Sequence, residues 1–452
     1  MKVKLTSPVL FAVCAFMIAG YIDIVIMLHG GLYDFLAGTI LTQLFSMIMF
    51  VLFLLIFVKR ESSGEYNLFA FCLFFMTFCL QSASAVSYPR QADKSNSPFE
   101  VITSRQNAFL VQTVVFFSVF LAVSFLLHFE KVIDRNIKKV VFAMSAVNFG
   151  FGGYFIVSGG QMATIKGLVV GLPLLAWMLF FFSICHTFYH YASCDGSLNF
   201  KKWTWIEKIA TIIIAVSLLM LIMGFMRTHE YGILFYFALS IIAWMFFESH
   251  KTISTVRQKV IWYGGSICVV FLAIIVAATT YYIYQSAYNS VLTAGEVPQN
   301  EIDNYVSQLS PVHHFGSKVA RIFLNTGLKF IRSAGLFGSS GYVYDVAANN
   351  DYAIGLQIHN FGLLWLFILV VLMISFCVTG CVYLSSYEEC DGTTATLKCL
   401  SFFCILALIV YPISSNIGLT AIIGVSAYCA GYSGMHTVLC ASLMAATLHE
   451  RR

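Results

Sequence analysis

The chain has 452 residues, of which 59% are hydrophobic and only 10% charged, and it carries a formal net charge of +5. A water-soluble core cannot take up that much apolar surface at this length, so most of the surface must face lipid, and a soluble two-domain enzyme is excluded. The small basic excess is scattered over loops, which argues for membrane orientation and not for nucleic-acid binding.

The N-terminus, MKVKLTSPVLFAVCAFMIAG, starts with Lys2 and Lys4 and stays apolar to about Met27 without a small-x-small cleavage site. It predicts a first span that is kept, not a signal peptide that is removed. Apolar windows long enough to cross a bilayer lie at 8–28, 36–58, 68–87, 109–128, 140–158, 167–190, 209–227, 231–248, 260–284, 352–384, 399–415 and 417–447. They predict an all-α polytopic protein, one integral membrane domain over 1–452, with about twelve transmembrane helices (about ten to twelve). Pro412 and Gly418 interrupt the last pair.

Basic residues mark every second connection. Lys59 and Arg60 follow the second span, and Lys131, Arg135, Lys138 and Lys139 the fourth. Lys201, Lys202 and Lys208 follow the sixth, Lys251, Arg257 and Lys259 the eighth, and Arg451 and Arg452 end the chain. These loops and both termini are therefore assigned to the cytoplasm. The loop 88–108, with Arg90, Lys94 and Arg105, is the exception. The 13 cysteines lie mostly inside apolar runs, which argues against a disulfide framework; Cys377 and Cys381, one helical turn apart, read as packing residues.

On this orientation the connection 285–350, just before the last three spans, falls on the outer face, and a loop of that length in a compact protein is usually functional. Within it, about 318–333 sorts by helical period. Lys318, Arg321, Asn325, Lys329 and Arg332 share one face, and Val319, Ile322, Phe323, Thr326 and Phe330 the other. Such a helix lies flat on the membrane. Its cations either hold a phosphate or diphosphate head group or form a solvated polar face. The helix ends at Gly335, and Ser339, Ser340 and Gly341 make a turn. Asp351 then stands where the chain re-enters the membrane, as a partly desolvated general base or as a helix N-cap. Asp23, in the outer third of the first span, either lines the same cavity or is a satisfied polar contact. His186 and His190 share a helix face without an accompanying acid and read as interfacial residues, not a metal site. His313 and His314 give only a weak signal for metal or phosphate.

Several stretches resemble the SEDS family, the FtsW, RodA and SpoVE group. Ser333-Ala334-Gly335-Leu336-Phe337-Gly338 is similar to its S-G-G-L-F-G, and Asn350-Asp351-Tyr352-Ala353-Ile354 to its T-D-F-I-F, with Phe361-Gly362 where the family has L-G. Asn416-Ile417-Gly418 is similar to N-I-G, and Gly431-Tyr432-Ser433-Gly434 to S-Y-G-G. The resemblance covers roughly the last 130 residues. It implies a peptidoglycan glycosyltransferase that polymerises lipid II on the outer face of the bacterial inner membrane. It also implies a class B penicillin-binding protein, or another envelope-assembly protein, as partner. By the same resemblance Asp351 takes the family's essential aspartate position and deprotonates the acceptor hydroxyl. No cofactor is implied with certainty; a divalent cation such as Mg²⁺ suits a diphosphate substrate. From helix geometry, and not from the family, Lys329 and Arg332 are placed to stabilise the departing diphosphate. The chain departs from the family at Asn349, His359, Asn360 and Tyr428, where the pattern has His, two Glu and Pro.

Two other functions compete. The run Asn349-Asn350-Asp351-Tyr352, with Gln357 and Gly362, also loosely resembles the pattern of O-antigen ligases and polymerases of the Wzy/WaaL type, which use outer-face arginines and a histidine. Here Arg321, Arg332, His313 and His314 would serve. A non-catalytic transporter of lipid-linked oligosaccharide, or an envelope-assembly scaffold, is the third. A transporter predicts charges buried at mid-membrane in several helices, and this chain has few.

Overall fold

The computed structural model describes residues 7–30, 36–57, 63–87, 98–158, 164–165, 168–192, 204–228, 230–252, 334–338, 353–386, 392–416, 427–430 and 434–449. The described residues are helical almost throughout. The helices are α1 (Ser7–Gly30), α2 (Leu36–Phe57), α3 (Gly64–Ser87), α4 (Pro98–Leu127), α5 (Glu130–Arg135), α6 (Ile137–Ser158), α7 (Gly171–Ala192), α8 (Trp205–Arg227), α9 (Tyr231–Thr252), α10 (Ala353–Phe361), α11 (Leu363–Ser386), α12 (Thr393–Asn416) and α13 (Gly434–Leu448). Between α6 and α7, Thr164–Ile165 (β1) pairs antiparallel with Leu168–Val169 (β2). Eight of the described helices are long and apolar enough to cross a bilayer, and Ile40–Ile56, Gly232–Glu248 and Gly434–Leu448 are shorter apolar stretches. The protein spans a membrane.

Three predicted elements differ. The window 352–384 is not one helix but two, α10 and α11, parted at Gly362. In the window 417–447 the described residues form a turn at 427–430 and α13, whose 15 residues are too few to cross a bilayer alone. The connection 88–108 ends early, because α4 already starts at Pro98, where proline's fixed φ and missing N–H suit a first helical turn. The expected span 260–284 and the interfacial helix 318–333 lie outside the described residues.

The chain groups into two compact units. The first comprises residues 1–118, 318–387 and 408–440, the second 119–317, 388–407 and 441–452. In the first unit α3 is the hub, packed against α1, α2, α10 and α11. Aromatic rings hold it there. Phe69 stacks on Phe376 and Tyr383 of α11 with centroids 5.7 and 5.4 Å apart, and Tyr66 meets Tyr383 edge-on at 5.4 Å. Phe50 of α2 lies among Phe11, Phe74, Phe78 and Phe117. Such ring pairs add about 0.5–1.5 kcal/mol each beyond the burial of their surface. In lipid this matters more than in water, because hydrocarbon gives helices no hydrophobic drive to associate.

The second unit is organised by α6 against α8. α8 starts with a capping box: Glu207 N–H donates to Thr204 Oγ1 at 3.4 Å, and Thr204 N–H donates to Glu207 Oε2 at 2.9 Å. Lys138 of α6 reaches the same carboxylate, Nζ to Oε1 at 3.0 Å. Further along, Gly152 lets the two backbones touch. A Cβ there would collide with the Met220 carbonyl and lie 2.7 Å from Leu221 N. Gly224 approaches Gly152 from the other side, its Cβ position 3.1 Å from the Gly152 Cα. Small residues at a membrane crossing allow this close contact. Two residues earlier, on the opposite face of α6, a Cβ on Gly150 would meet nothing within 4 Å. Gly152→Leu should therefore lower stability by about 1–3 kcal/mol or more, while Gly150→Leu should leave it unchanged. Thermal unfolding of the two purified variants in one detergent checks this; equal unfolding midpoints would refute the α6–α8 contact.

Candidate functional site

All nine residues of α10 are buried, including Gln357, His359 and Asn360. A short helix enclosed at both ends has no water to complete its terminal amides and carbonyls, so protein groups must do so. Each end is met by a different segment. At the N-terminal end, Asn416 of α12 accepts from Gly355 N–H through Oδ1 at 2.7 Å and donates from Nδ2 to Pro412 O at 2.8 Å. The fit is close, since a Cβ on Gly355 would lie 2.8 Å from that Oδ1. At the C-terminal end, Tyr21 of α1 donates its hydroxyl proton to Phe361 O.

The break between α10 and α11 is closed by the turn 334–338. Gly362 has φ +88°, which a residue with a side chain rarely adopts. Its Cβ position is also filled, by Gly338 N and Leu336 O. The first amides of α11 would otherwise be orphaned in an apolar surround. Instead Leu363 N–H donates to Gly335 O at 3.0 Å and Leu364 N–H to Leu336 O at 3.1 Å. The side chains of Leu336 and Phe337 turn outward, 59% and 49% exposed.

A second turn, 427–430, docks on α12 for a reason written in Pro412. A proline inside a helix has no N–H for the carbonyl four residues back. That carbonyl, Leu408 O, is taken by Tyr428 N–H at 2.9 Å. α12 thus runs through Pro412, which the sequence had offered as an interruption. The turn is locked further by His436 and Cys440 of α13. His436 Nε2 lies 2.8 Å from Ala427 O, an acceptor only, so this nitrogen carries the proton and donates. Cys429 N–H donates to Cys440 Sγ at 3.2 Å, with Cys429 held at φ 54°. Side chains then tie α10, α11 and this turn to α3. Trp365 Nε1–H donates to Gln357 Oε1 at 3.2 Å, Gln357 Nε2–H to Ser84 Oγ at 3.0 Å, and Ser84 Oγ faces Ala430 O at 3.0 Å. Thr77 Oγ1 and Tyr428 OH are 3.3 Å apart.

Of the residues singled out in the sequence, the structure brings Gly335, Leu336, Phe337, Gly338 and Asn416 to the frame around α10. Gly434 opens α13. Asp23 is buried in α1, 7% exposed, two residues beyond Tyr21. Asp351 immediately precedes this frame in the chain, two residues before Ala353. It lies outside the described residues, as do Lys318, Arg321, Lys329, Arg332, Gly418 and Tyr432. His186 is half-buried in the second unit, its Nδ1 3.1 Å from Thr396 Oγ1 and its ring against Trp244, while His190 is exposed. Among the described residues no three His, Cys, Asp or Glu side chains converge as metal ligands, and the cysteines are free thiols.

Sequence reasoning gave no role to Tyr21, Ser84 or His436, and Gln357 entered only through the O-antigen ligase resemblance. One signal was available: a proline inside a span frees a carbonyl, and something must donate to it. The chain matches no family model and no curated protein. Asn416→Ala would strip Gly355 of its acceptor inside the apolar frame and should cost about 1–3 kcal/mol. Ser385→Ala, at an exposed serine, is the control. Thermal unfolding in detergent measures both, and an Asn416→Ala midpoint equal to the control would remove Asn416 from the frame.

Proposed function

We propose that the chain is a SEDS-type membrane glycosyltransferase that elongates a glycan from undecaprenyl-diphosphate-linked sugar, lipid II being the first candidate. The proposed setting is the outer face of a bacterial inner membrane, both termini in the cytoplasm, about twelve spans in all, and a class B penicillin-binding protein as partner. The reading draws on one observation above others. Stretches that resemble the family, 335–338, Ala353-Ile354 with Phe361-Gly362, and Asn416 from much further along the chain, come together at α10. Backbone bonds of this kind between segments suit a site whose reacting groups must be held in place.

In the proposed reaction Asp351 takes the proton of the acceptor sugar hydroxyl. The freed oxygen attacks the anomeric carbon of the lipid-linked donor. The bond to undecaprenyl diphosphate breaks and that group leaves with the electron pair. Lys318, Arg321, Lys329 and Arg332 neutralise its charge through charge-assisted hydrogen bonds. A divalent cation such as Mg²⁺ can share that work.

Asp351→Asn keeps size and hydrogen bonding but removes the base. Polymerisation of lipid II by the purified protein with its partner should fall about 10²–10⁴-fold, with the unfolding midpoint unchanged. Undiminished polymerisation would reduce Asp351 to a helix cap. A parallel assay with other undecaprenyl-linked donors separates this reading from an O-antigen polymerase, and no turnover of any donor by the wild type would favour a transporter or scaffold.

A further inference from the structure

A second polar site lies between α1 and α2 and is independent of the glycosyltransferase reading. Asp23 stands seven residues before the end of α1 at Gly30, and Gln43 seven residues after the start of α2 at Leu36. The two helices pack together and are joined by residues 31–35. At 1.5 Å per residue both side chains therefore stand about 10 Å from the joined end, at one depth. Ser46 follows one turn after Gln43 on the same face of α2. Asp23 is 7% exposed, Gln43 2% and Ser46 0%. The Gln43 carboxamide lies beside the Asp23 carboxyl and interacts with it, although the pair falls short of regular hydrogen-bond geometry. Asp23 Oδ1, both Gln43 amide atoms and Ser46 Oγ are buried and make no hydrogen bond among the described residues. The one ion pair among those residues is Lys138–Glu207, so Asp23 has no described counter-charge.

We infer that Asp23, Gln43 and Ser46 form a binding site for an alkali cation. Each buried polar group in a membrane interior calls for a partner, and a lone carboxylate calls for a compensating charge. A proton on Asp23 would serve the Asp23–Gln43 pair but leave Ser46 Oγ, one turn along α2, without a partner. A small monovalent cation draws on Asp23 Oδ1, Gln43 Oε1 and Ser46 Oγ together and cancels the single negative charge. With Oε1 on the ion, Gln43 Nε2 is left to donate to the other carboxylate oxygen. One carboxylate and neutral oxygens suit a monovalent ion better than Ca²⁺, which favours 6–8 oxygen ligands.

The test uses the full-length protein in detergent or nanodiscs. Unfolding midpoints are measured in sodium, potassium and choline chloride at constant ionic strength and pH. Binding to the folded state alone raises the midpoint with ligand concentration. The expected result is a saturable rise of a few degrees in sodium or potassium over choline, absent in Asp23→Asn and Gln43→Ala. In Ser46→Ala, the mildest change, the saturating concentration should rise several-fold. Equal midpoints in all three salts would overturn the site. So would a rise that survives in Asp23→Asn, which would put the ion elsewhere. A midpoint that follows pH identically in all three salts would also overturn it, making Asp23 a proton site.

Discussion

A peptide N–H in an apolar surround has no water to turn to, and the break at Gly362 is built around that constraint. The helix breaks there, and the amides of Leu363 and Leu364 take carbonyls from Gly335 and Leu336. Gly362 in turn can sit there only because it carries no side chain, since Gly338 N and Leu336 O occupy the place of a Cβ. The 334–338 turn, the break and both flanking helices therefore stand or fall together. Broken helices are tolerated at membrane depth only where protein or a water-filled cavity receives the freed backbone.

The same accounting explains α12. Pro412 removes one donor, Tyr428 N–H replaces it on Leu408 O, and the 427–430 turn is thereby pinned to the helix. Asn416, one turn further on, spends its side chain on Gly355 and on Pro412 O. Apolar packing sets the helices side by side, through Phe69 between Phe376 and Tyr383 for instance. Hydrogen bonds from Trp365 through Gln357 and Ser84 select which of the possible alignments is kept. Rings supply area, and polar side chains supply register.

At α10 the backbone is completed by Asn416, Tyr21 and the 334–338 turn, whereas between α1 and α2 Asp23 Oδ1, both Gln43 amide atoms and Ser46 Oγ make no hydrogen bond among the described residues. The first region is held by bonds between separate segments of the chain. The second is the polar cluster to which the inferred cation is assigned. The sequence offered Asp23 either as sharing a cavity with Asp351 or as a satisfied polar contact; the structure buries Asp23 in α1, which packs on α2, and Asp351 lies outside the described residues.

Membrane character, the helical class and most helix positions were legible in the sequence, because long apolar windows answer to lipid thickness and need no knowledge of neighbours. α1, α2, α6 and α8 begin and end within a few residues of the expected windows. The stretches 335–338 and Asn416 were also visible as unusual in an apolar chain. What they touch was not. Nothing local to Gly362 says that the break falls there and not elsewhere in the window 352–384. The choice depends on a carbonyl-bearing turn arriving from residues 335 and 336. Nor does Pro412 announce that Tyr428 will fill its missing bond. Hydropathy is a property of each segment and its solvent, so the sequence determined it alone. The pairing of an orphaned backbone group with its donor is a property of two segments meeting in space, and only the tertiary structure could decide it.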